Sequence, residues 1–267
     1  MLGRKFALGL PVCALIVTLA LFGCSKTDDH TGPSSGTVTI HMSDAPKAVD
    51  AVNLVITEVA VNPSGNSDDR GWEVLRTDSM NVDLLSLQNG VFTTLATGRV
   101  AAGTYSQVRL KLGAGSTVTV DGVTYPLTVP SGMQSGLKIV GTFQVPNGGA
   151  VDISLDFDAS RSIIQTGAGT YILKPVVRVM PTNIAGSIRG QVLPATTQTT
   201  VYAIQAADTV GSALTNSNGA FVVSVLPTGT YSVAFHPSAD FRDTTLVGVN
   251  VISGQSTNVG TVQLTHQ

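Results

Sequence analysis

From Thr37 onward the chain alternates apolar and polar residues with a period of two. Val38, Ile40 and Met42 point one way, and Thr37, Thr39 and His41 the other. The same pattern recurs in Val108, Leu110 and Leu112 around Arg109 and Lys111. It recurs again in Val151, Ile153, Leu155 and Phe157 around Asp152, Ser154, Asp156 and Asp158. A fourth run, Ile172 to Met180, carries Leu173, Val177 and Val179 with Lys174 and Arg178 between them. Successive side chains of a strand point to opposite faces, so this alternation predicts half-buried strands of antiparallel sheets. Asn89-Gly90, Asp121-Gly122 and Pro146-Asn147-Gly148-Gly149 supply turns between them. Phe92 to Val100 reads as a short uncapped helix, the one expected exception.

A boundary is expected near Pro181 to Ala185. Beyond it a second series of short strands has Val192, Val201, Phe221, Val223, Val225, Tyr231, Val233 and Phe235 at its core positions. The turns Thr215-Asn216-Ser217-Asn218-Gly219 and Leu226-Pro227-Thr228-Gly229 organise this part, with glycines free to take positive φ and Pro227 presetting its own. Its length suits one seven-strand sandwich. The expected fold class is therefore all-β, with two β-sandwich domains over residues 37–182 and 184–267.

The first residues break the alternation. Met1 to Lys5 is a short basic leader, Phe6 to Leu21 is almost unbroken apolar chain, and Phe22-Gly23-Cys24 follows. This is the plan of a secretory signal over residues 1–23. An uncleaved membrane helix is the rival, since the apolar run reaches the lower limit for spanning a bilayer. Residues 24–36 are polar, with Gly, Ser, Pro and paired Asp, and read as a flexible tether.

Composition narrows the classes. The chain of 267 residues is 43% apolar and only 12% charged, with a net charge of -2, so it lacks the basic face that nucleic acid requires. Val and Thr dominate, both suited to pleated sheet. Of the two cysteines, Cys13 would leave with the signal, so no disulfide framework is available.

Gly23-Cys24 after the apolar run resembles the lipobox of bacterial lipoproteins, which implies lipidation at Cys24, a membrane partner through the acyl anchor and a place in the cell envelope. Ser25, rather than Asp, follows the cysteine, which favours an outer membrane where the host has two. Several segments taken in order resemble the domain-of-unknown-function 4382 family: Ser43-Asp44-Ala45-Pro46, Asp83-Leu84-Leu85, Gly103-Thr104-Tyr105-Ser106-Gln107-Val108-Arg109-Leu110, Ser135-Gly136-Leu137-Lys138, Asp156-Phe157-Asp158-Ala159 and Leu173-Lys174-Pro175-Val176. That resemblance implies an exported β-rich ectodomain without an assigned activity. Gly190-Gln191-Val192, Val201-Tyr202-Ala203, Asn218-Gly219-Ala220-Phe221 and Leu226-Pro227-Thr228-Gly229-Thr230-Tyr231 resemble the carboxypeptidase regulatory-like domain of the transthyretin-like sandwiches. Members of that family are accessory domains without catalytic residues, and their fold grouping makes carbohydrate binding conceivable.

Candidate chemistry is sparse. Asp152, Asp156 and Asp158 share one face of a strand, and Asp156-x-Asp158-x-Ser160 copies the opening of a calcium loop. Arg161 and Gly167 then occupy the loop's glycine and closing-acid positions, so an EF-hand is excluded. Two readings remain: Asp156 and Asp158 with Asp44 as ligands of a structural calcium, or a solvated strand face paired across strands with Arg109 and Lys111. Ser43-Asp44-Ala45-Pro46 also reads as turn chemistry. Ser135 and Lys138 lie in a small polar loop able to meet an anion, and Trp72 could stack on a sugar ring or simply pack. No paired-His spacing for zinc occurs, and Glu58 and Glu73 are the only glutamates. A non-catalytic binding or structural module is the expectation, with a glycan or an envelope protein as partner. A metal-dependent hydrolase built on the Asp152 row is the rival.

Overall fold

The computed structural model describes residues 34–45, 49–66, 70–130, 135–238 and 240–267. The expected signal, Cys24 and most of the tether lie outside these residues. The chain is all-β. Its first thirteen strands are β1 (Ser35–Ala45), β2 (Ala51–Pro63), β3 (Glu73–Arg76), β4 (Met80–Asp83), β5 (Thr93–Ala101), β6 (Gly103–Leu112), β7 (Thr117–Val120), β8 (Val123–Thr128), β9 (Leu137–Val145), β10 (Ala150–Asp158), β11 (Ile163–Gln165), β12 (Tyr171–Leu173) and β13 (Val177–Pro181). A 3-10 turn, Leu84–Leu87, follows β4, and one turn of helix, α1 (Ala159–Ser162), follows β10. Seven strands complete the chain: β14 (Gly186–Leu193), β15 (Thr199–Gln205), β16 (Asp208–Leu214), β17 (Ala220–Leu226), β18 (Gly229–Pro237), β19 (Thr244–Val251) and β20 (Ser256–Gln263).

The first thirteen strands form two sheets. One runs β13-β10-β1-β5, and the other runs β11-β12-β8-β7-β2-β6-β9 with β3 and β4 also paired to the long strand β2. Their inner faces close on one core, in which Val38, Ile40, Met42, Leu110, Ile153, Leu155 and Phe157 are buried. The last seven strands form sheets β17-β14-β20 and β16-β15-β18-β19 around a second core of Ile188, Val201, Phe221, Tyr231, Val233 and Phe235.

Two expectations change. Three of the four sheets are mixed, because β1 pairs with β10, β8 with β12 and β14 with β20 in parallel, while β16-β15-β18-β19 is antiparallel throughout. Alternation reports burial and is blind to the direction of a neighbour, which long intervening chain leaves free. Residues 93–101 are strand β5, not a helix. Thr93, Thr94, Thr97 and Val100 are β-branched, and β5 lies antiparallel on β1 from Ser35↔Ala101 to Met42↔Thr93.

A repeat ties the two parts together. Gly103-Thr104-Tyr105-Ser106 opens β6 and Gly229-Thr230-Tyr231-Ser232 opens β18. In both, the tyrosine is fully buried and its hydroxyl bonds the carbonyl four residues upstream, Ala101 at 2.9 Å and Pro227 at 2.8 Å. Each is a tyrosine corner that pins the incoming loop to the start of a strand. Tyr105→Phe and Tyr231→Phe are each expected to cost about 1 kcal/mol, because each removes the hydrogen bond made by the hydroxyl of a buried ring. Urea unfolding measures this, and a midpoint unchanged in both variants contradicts it.

Candidate functional site

The buried ionic groups gather at the end of β10. Asp156 is flanked in register by Ser43 of β1 and Arg178 of β13, so these three side chains lie side by side across three strands. Ser43 donates its hydroxyl to Asp156 at 3.3 Å, and Arg178 forms a close ion pair with the other carboxylate oxygen. The same guanidinium reaches the Ser224 carbonyl of β17 at 3.4 Å. It lies so near Gly211 of β16 that a Cβ there would stand 2.9 Å from its Nη2. Arg161 donates to the Thr209 carbonyl of β16 at 3.0 Å, and the Val222 N–H of β17 donates to Asn89 at 3.1 Å. The edge strands β16 and β17 thus dock on the first sandwich, and the docking occupies backbone groups that an open sheet edge leaves unpaired. A cavity of about 160 Å³ lies beside this junction, lined by His41, Ser43, Phe92, Thr182 and Ser224 among others.

This geometry corrects the solvated reading of the aspartate row. Asp152 at the start of β10 is exposed and faces His41 at 3.8 Å. Asp156 and Asp158 are buried, at 4% and 6% exposure. The strand's outer face passes from solvent to interior as it runs beneath the second sandwich. The partner of Asp156 is Arg178, whereas Arg109 and Lys111 both bind Glu58, at 2.6 and 2.7 Å. Burial would raise the Glu58 carboxyl, and the hydrogen bonds from Lys111 and Arg109 outweigh it, so this group titrates below its ordinary value.

Asp44 joins the cluster from the end of β1. Its Oδ1 accepts from the Ala159 N–H at 3.2 Å, while its Oδ2 is buried without a hydrogen-bond partner. Asp158 caps α1, accepting from the Arg161 N–H at 3.0 Å and the Ser160 hydroxyl at 2.6 Å. The structure therefore brings Asp44, Asp156 and Asp158 together, yet Asp156 and Asp158 are taken up by an arginine and a helix cap. Among the described residues no group of three or more His, Cys, Asp or Glu is disposed to hold a metal ion.

Burial, reinforced by the neighbouring charges of Asp156, Asp158 and Asp83, pushes the Asp44 carboxyl well above the usual carboxylate range. A raised folded-state value means the native chain holds this proton after the unfolded chain, titrating near 3.9, has lost it. The Asp44 contribution to stability is then complete below that pH and is lost as pH rises toward the folded value. Asp44→Asn keeps the acceptor for Ala159 and removes the titration. It is expected to raise the melting temperature at pH 8 and to flatten the decline between pH 5 and pH 8. Parallel pH profiles for variant and parent contradict this.

Trp72 is half-buried just before β3. The guanidinium of Arg109 lies over its ring, 4.3 Å from the centroid, so one face of the indole is already covered. Ser135 and Lys138 stand where β9 begins and line a groove of about 740 Å³ with Val129, Leu137, Leu173 and Lys174. Arg109 thus covers the Trp72 ring and pairs in register with Lys138. Sequence reasoning missed Arg178 and the groove partner Lys174. The only signal was their place as charged residues inside an apolar run, and no local pattern says what such a residue faces.

A family profile described as a domain of unknown function, DUF4382, matches residues 35–175. The chain belongs to this family. The DUF4382 segment runs from the first residue of β1 to just before β13, so the strand that carries Arg178 lies outside it. Among curated proteins none matches the sequence. Solved structures similar to this DUF4382 protein include a chain of a type II cohesin–X–dockerin complex from Acetivibrio cellulolyticus. It is 21% identical over 30% of this chain and 57% of its own, with a TM-score of 0.25. The minor pilin GBS52 of Streptococcus agalactiae is 9% identical over 86% of this chain and 96% of its own, with a TM-score of 0.22. BcpA, the major pilin subunit of Bacillus cereus, is 10% identical over 87% of this chain and 100% of its own, with a TM-score of 0.24.

Proposed function

We propose that this DUF4382 protein is a lipid-anchored protein of the bacterial cell envelope whose β units act as a non-catalytic binding or structural module. One observation carries the non-catalytic reading: the described acids that are buried or half-buried serve the fold. Asp156 holds Arg178, Asp158 caps α1, Asp44 binds the Ala159 N–H, and Glu58 is clamped by two cations. Glu73 accepts from the Tyr105 hydroxyl at 2.8 Å and the Ala101 N–H at 3.2 Å. A general acid or base must instead be held free at a cleft with a pKa matched to its task. The three described histidines are likewise scattered among local partners: His41 on Thr94, His236 on Asp243, and His266 against Phe241.

The anchor rests on the leader, the apolar run and Gly23-Cys24. Among the described residues no helix is long and apolar enough to cross a membrane. In this reading the carboxypeptidase regulatory-like unit is the C-terminal pair of sheets, three strands on four, and the tether holds both units clear of the headgroups. Outer-membrane placement follows from Ser25 in the same reading. Labelling of cells with radioactive palmitate tests it. The parent chain is expected to take up label, sediment with membranes and begin at Cys24 by intact mass. Cys24→Ser is expected to lose the label. An unlabelled parent chain, or one that begins at Met1, contradicts the lipid anchor.

A further inference from the structure

A glycine that follows asparagine or aspartate exposes a chain to its own chemistry, because a backbone nitrogen with no Cβ beside it can reach the side-chain carbonyl. Four such pairs lie among the described residues: Asn89-Gly90, Asp121-Gly122, Asn147-Gly148 and Asn218-Gly219. In three of them the glycine nitrogen is already engaged. Gly122 donates its N–H to Asp50 Oδ2 at 2.7 Å, Gly148 to the Ser35 carbonyl at 2.8 Å and Gly219 to the Asn216 carbonyl at 2.8 Å. The Gly90 N–H has no such acceptor among the described residues.

At this pair the other reactant is prepared instead. Asn89 lies just beyond the 3-10 turn, and its Oδ1 accepts the Val222 N–H of β17 at 3.1 Å. That donor draws electron density from Cγ and meets the negative charge that grows on Oδ1 when a nucleophile adds, as the donors of an oxyanion hole do. Both residues take positive φ, +57° at Asn89 and +82° at Gly90, and Gly90 is exposed, so water reaches the pair. A Cβ at Gly90 would meet its nearest atom, Val222 Cγ1, only at 3.5 Å, so the peptide has room to turn.

We propose that Asn89 is a self-modification site at the junction of the two sandwiches, where the Gly90 nitrogen displaces ammonia from the asparagine side chain. The nitrogen gives its proton to hydroxide and bonds to Asn89 Cγ. The Cγ–Nδ2 bond then breaks, and Nδ2 leaves as ammonia with a proton from water. Water opens the resulting five-membered imide in one of two ways. Addition at Cγ gives aspartate on an unchanged backbone, and addition at the main-chain carbonyl carbon gives isoaspartate, whose backbone runs through Cβ and Cγ. Either product adds a negative charge, and isoaspartate also lengthens the chain by one carbon. The consequence falls on the docking, because Asn89, like Arg161 and Arg178, holds a backbone group of β16 or β17. The lengthened chain carries the acceptor away from the Val222 N–H and releases that part of the β17 edge.

The test ages the purified full chain at mildly alkaline pH and follows the three Asn-Gly peptides by mass spectrometry. A parallel sample is aged in guanidinium chloride. In the native chain Asn89 is expected to lose its amide at least about fivefold faster than Asn147 or Asn218, the factor that breaking one hydrogen bond imposes on the other two. In the denaturant the three rates are expected to converge, because nothing then occupies the two protected nitrogens. Equal native rates overturn the proposal. A preference for Asn89 that persists undiminished in the denaturant overturns it too, since its cause would then be flanking sequence rather than the fold. The isoaspartate fraction, separated by ion exchange, is expected to exchange the amide hydrogens of β17 several-fold faster than the unmodified fraction. Unchanged exchange there contradicts the release of the edge.

Discussion

Arg178→Ala is expected to cost about 3 kcal/mol, the low end of what breaking a buried ion pair costs. For a compact unit of this size that lowers the melting temperature by roughly 6–12 °C. Asp156 is only 5% exposed at its side chain, so without the guanidinium it must stay charged in the interior or take up a proton. The loss also reaches across the junction, because the same side chain bonds Ser224 and packs on Gly211. Calorimetry of the variant is expected to show the unfolding endotherm broadening or dividing, with thermolysin gaining access before Ile184 in the segment that joins β13 to β14. The double variant Asp156→Leu/Arg178→Met should recover most of the stability, since it leaves no unpaired charge buried. A single variant within about 0.5 kcal/mol of the parent would falsify the role given to this pair, that margin being typical of plain surface changes.

Phe157→Ala comes next, at about 3–5 kcal/mol. Phe157 sits on β10 between Asp44 of β1 and Val177 of β13 and is 1% exposed in the first core. Its truncation opens a cavity in a sheet whose neighbours are held by ladders on both sides and so have little room to collapse. The same strand carries Asp156 on its other face, so the damage is expected to lower both parts of the endotherm rather than the first alone. Val140→Ala is the matched control. That side chain is 77% exposed on β9, and its loss should stay within about 0.5 kcal/mol. Equal effects at the two positions would contradict the placement of the core.

The contrast between these positions shows what alternation reads. Val38, Ile40 and Met42 of β1, Ile153, Leu155 and Phe157 of β10, and the eight core positions named for the second sandwich are all buried as the period of two requires. Each strand's inward face is a local property, because apolar side chains on one side of a pleated chain have only one favourable direction to turn. Turns were equally legible. Asp121-Gly122 joins β7 to β8 with φ of 51° and 75°, and the Asn216 side chain accepts from Asn218 and Ala220 to close the β16–β17 turn.

The outward faces were not legible. Asp152, Asp156 and Asp158 are the same residue type at the same phase of one strand, and only tertiary packing separates an exposed aspartate from two buried ones. Ser135 and Lys138 stood out as a polar loop, yet the aliphatic wall and Lys174 that complete the groove come from a segment some 35 residues further on. The tyrosine corners lie between these cases: Gly-Thr-Tyr-Ser appears twice in plain sight, but its meaning depends on where each hydroxyl finds its carbonyl.

The sequence by itself therefore determined an all-β chain, which side of each strand faces inward, where its turns fall, and the lipobox-like leader that precedes them. Those features rest on short-range geometry and on the hydrophobic effect, which act within a few residues. Tertiary structure alone decided the parallel pairings, the burial of Asp156 against Arg178, and the meeting of residues 129–138 with residues 173–176 at one groove. These depend on which strand or sheet comes to lie beside another, and such long-range packing leaves no periodic trace along the chain.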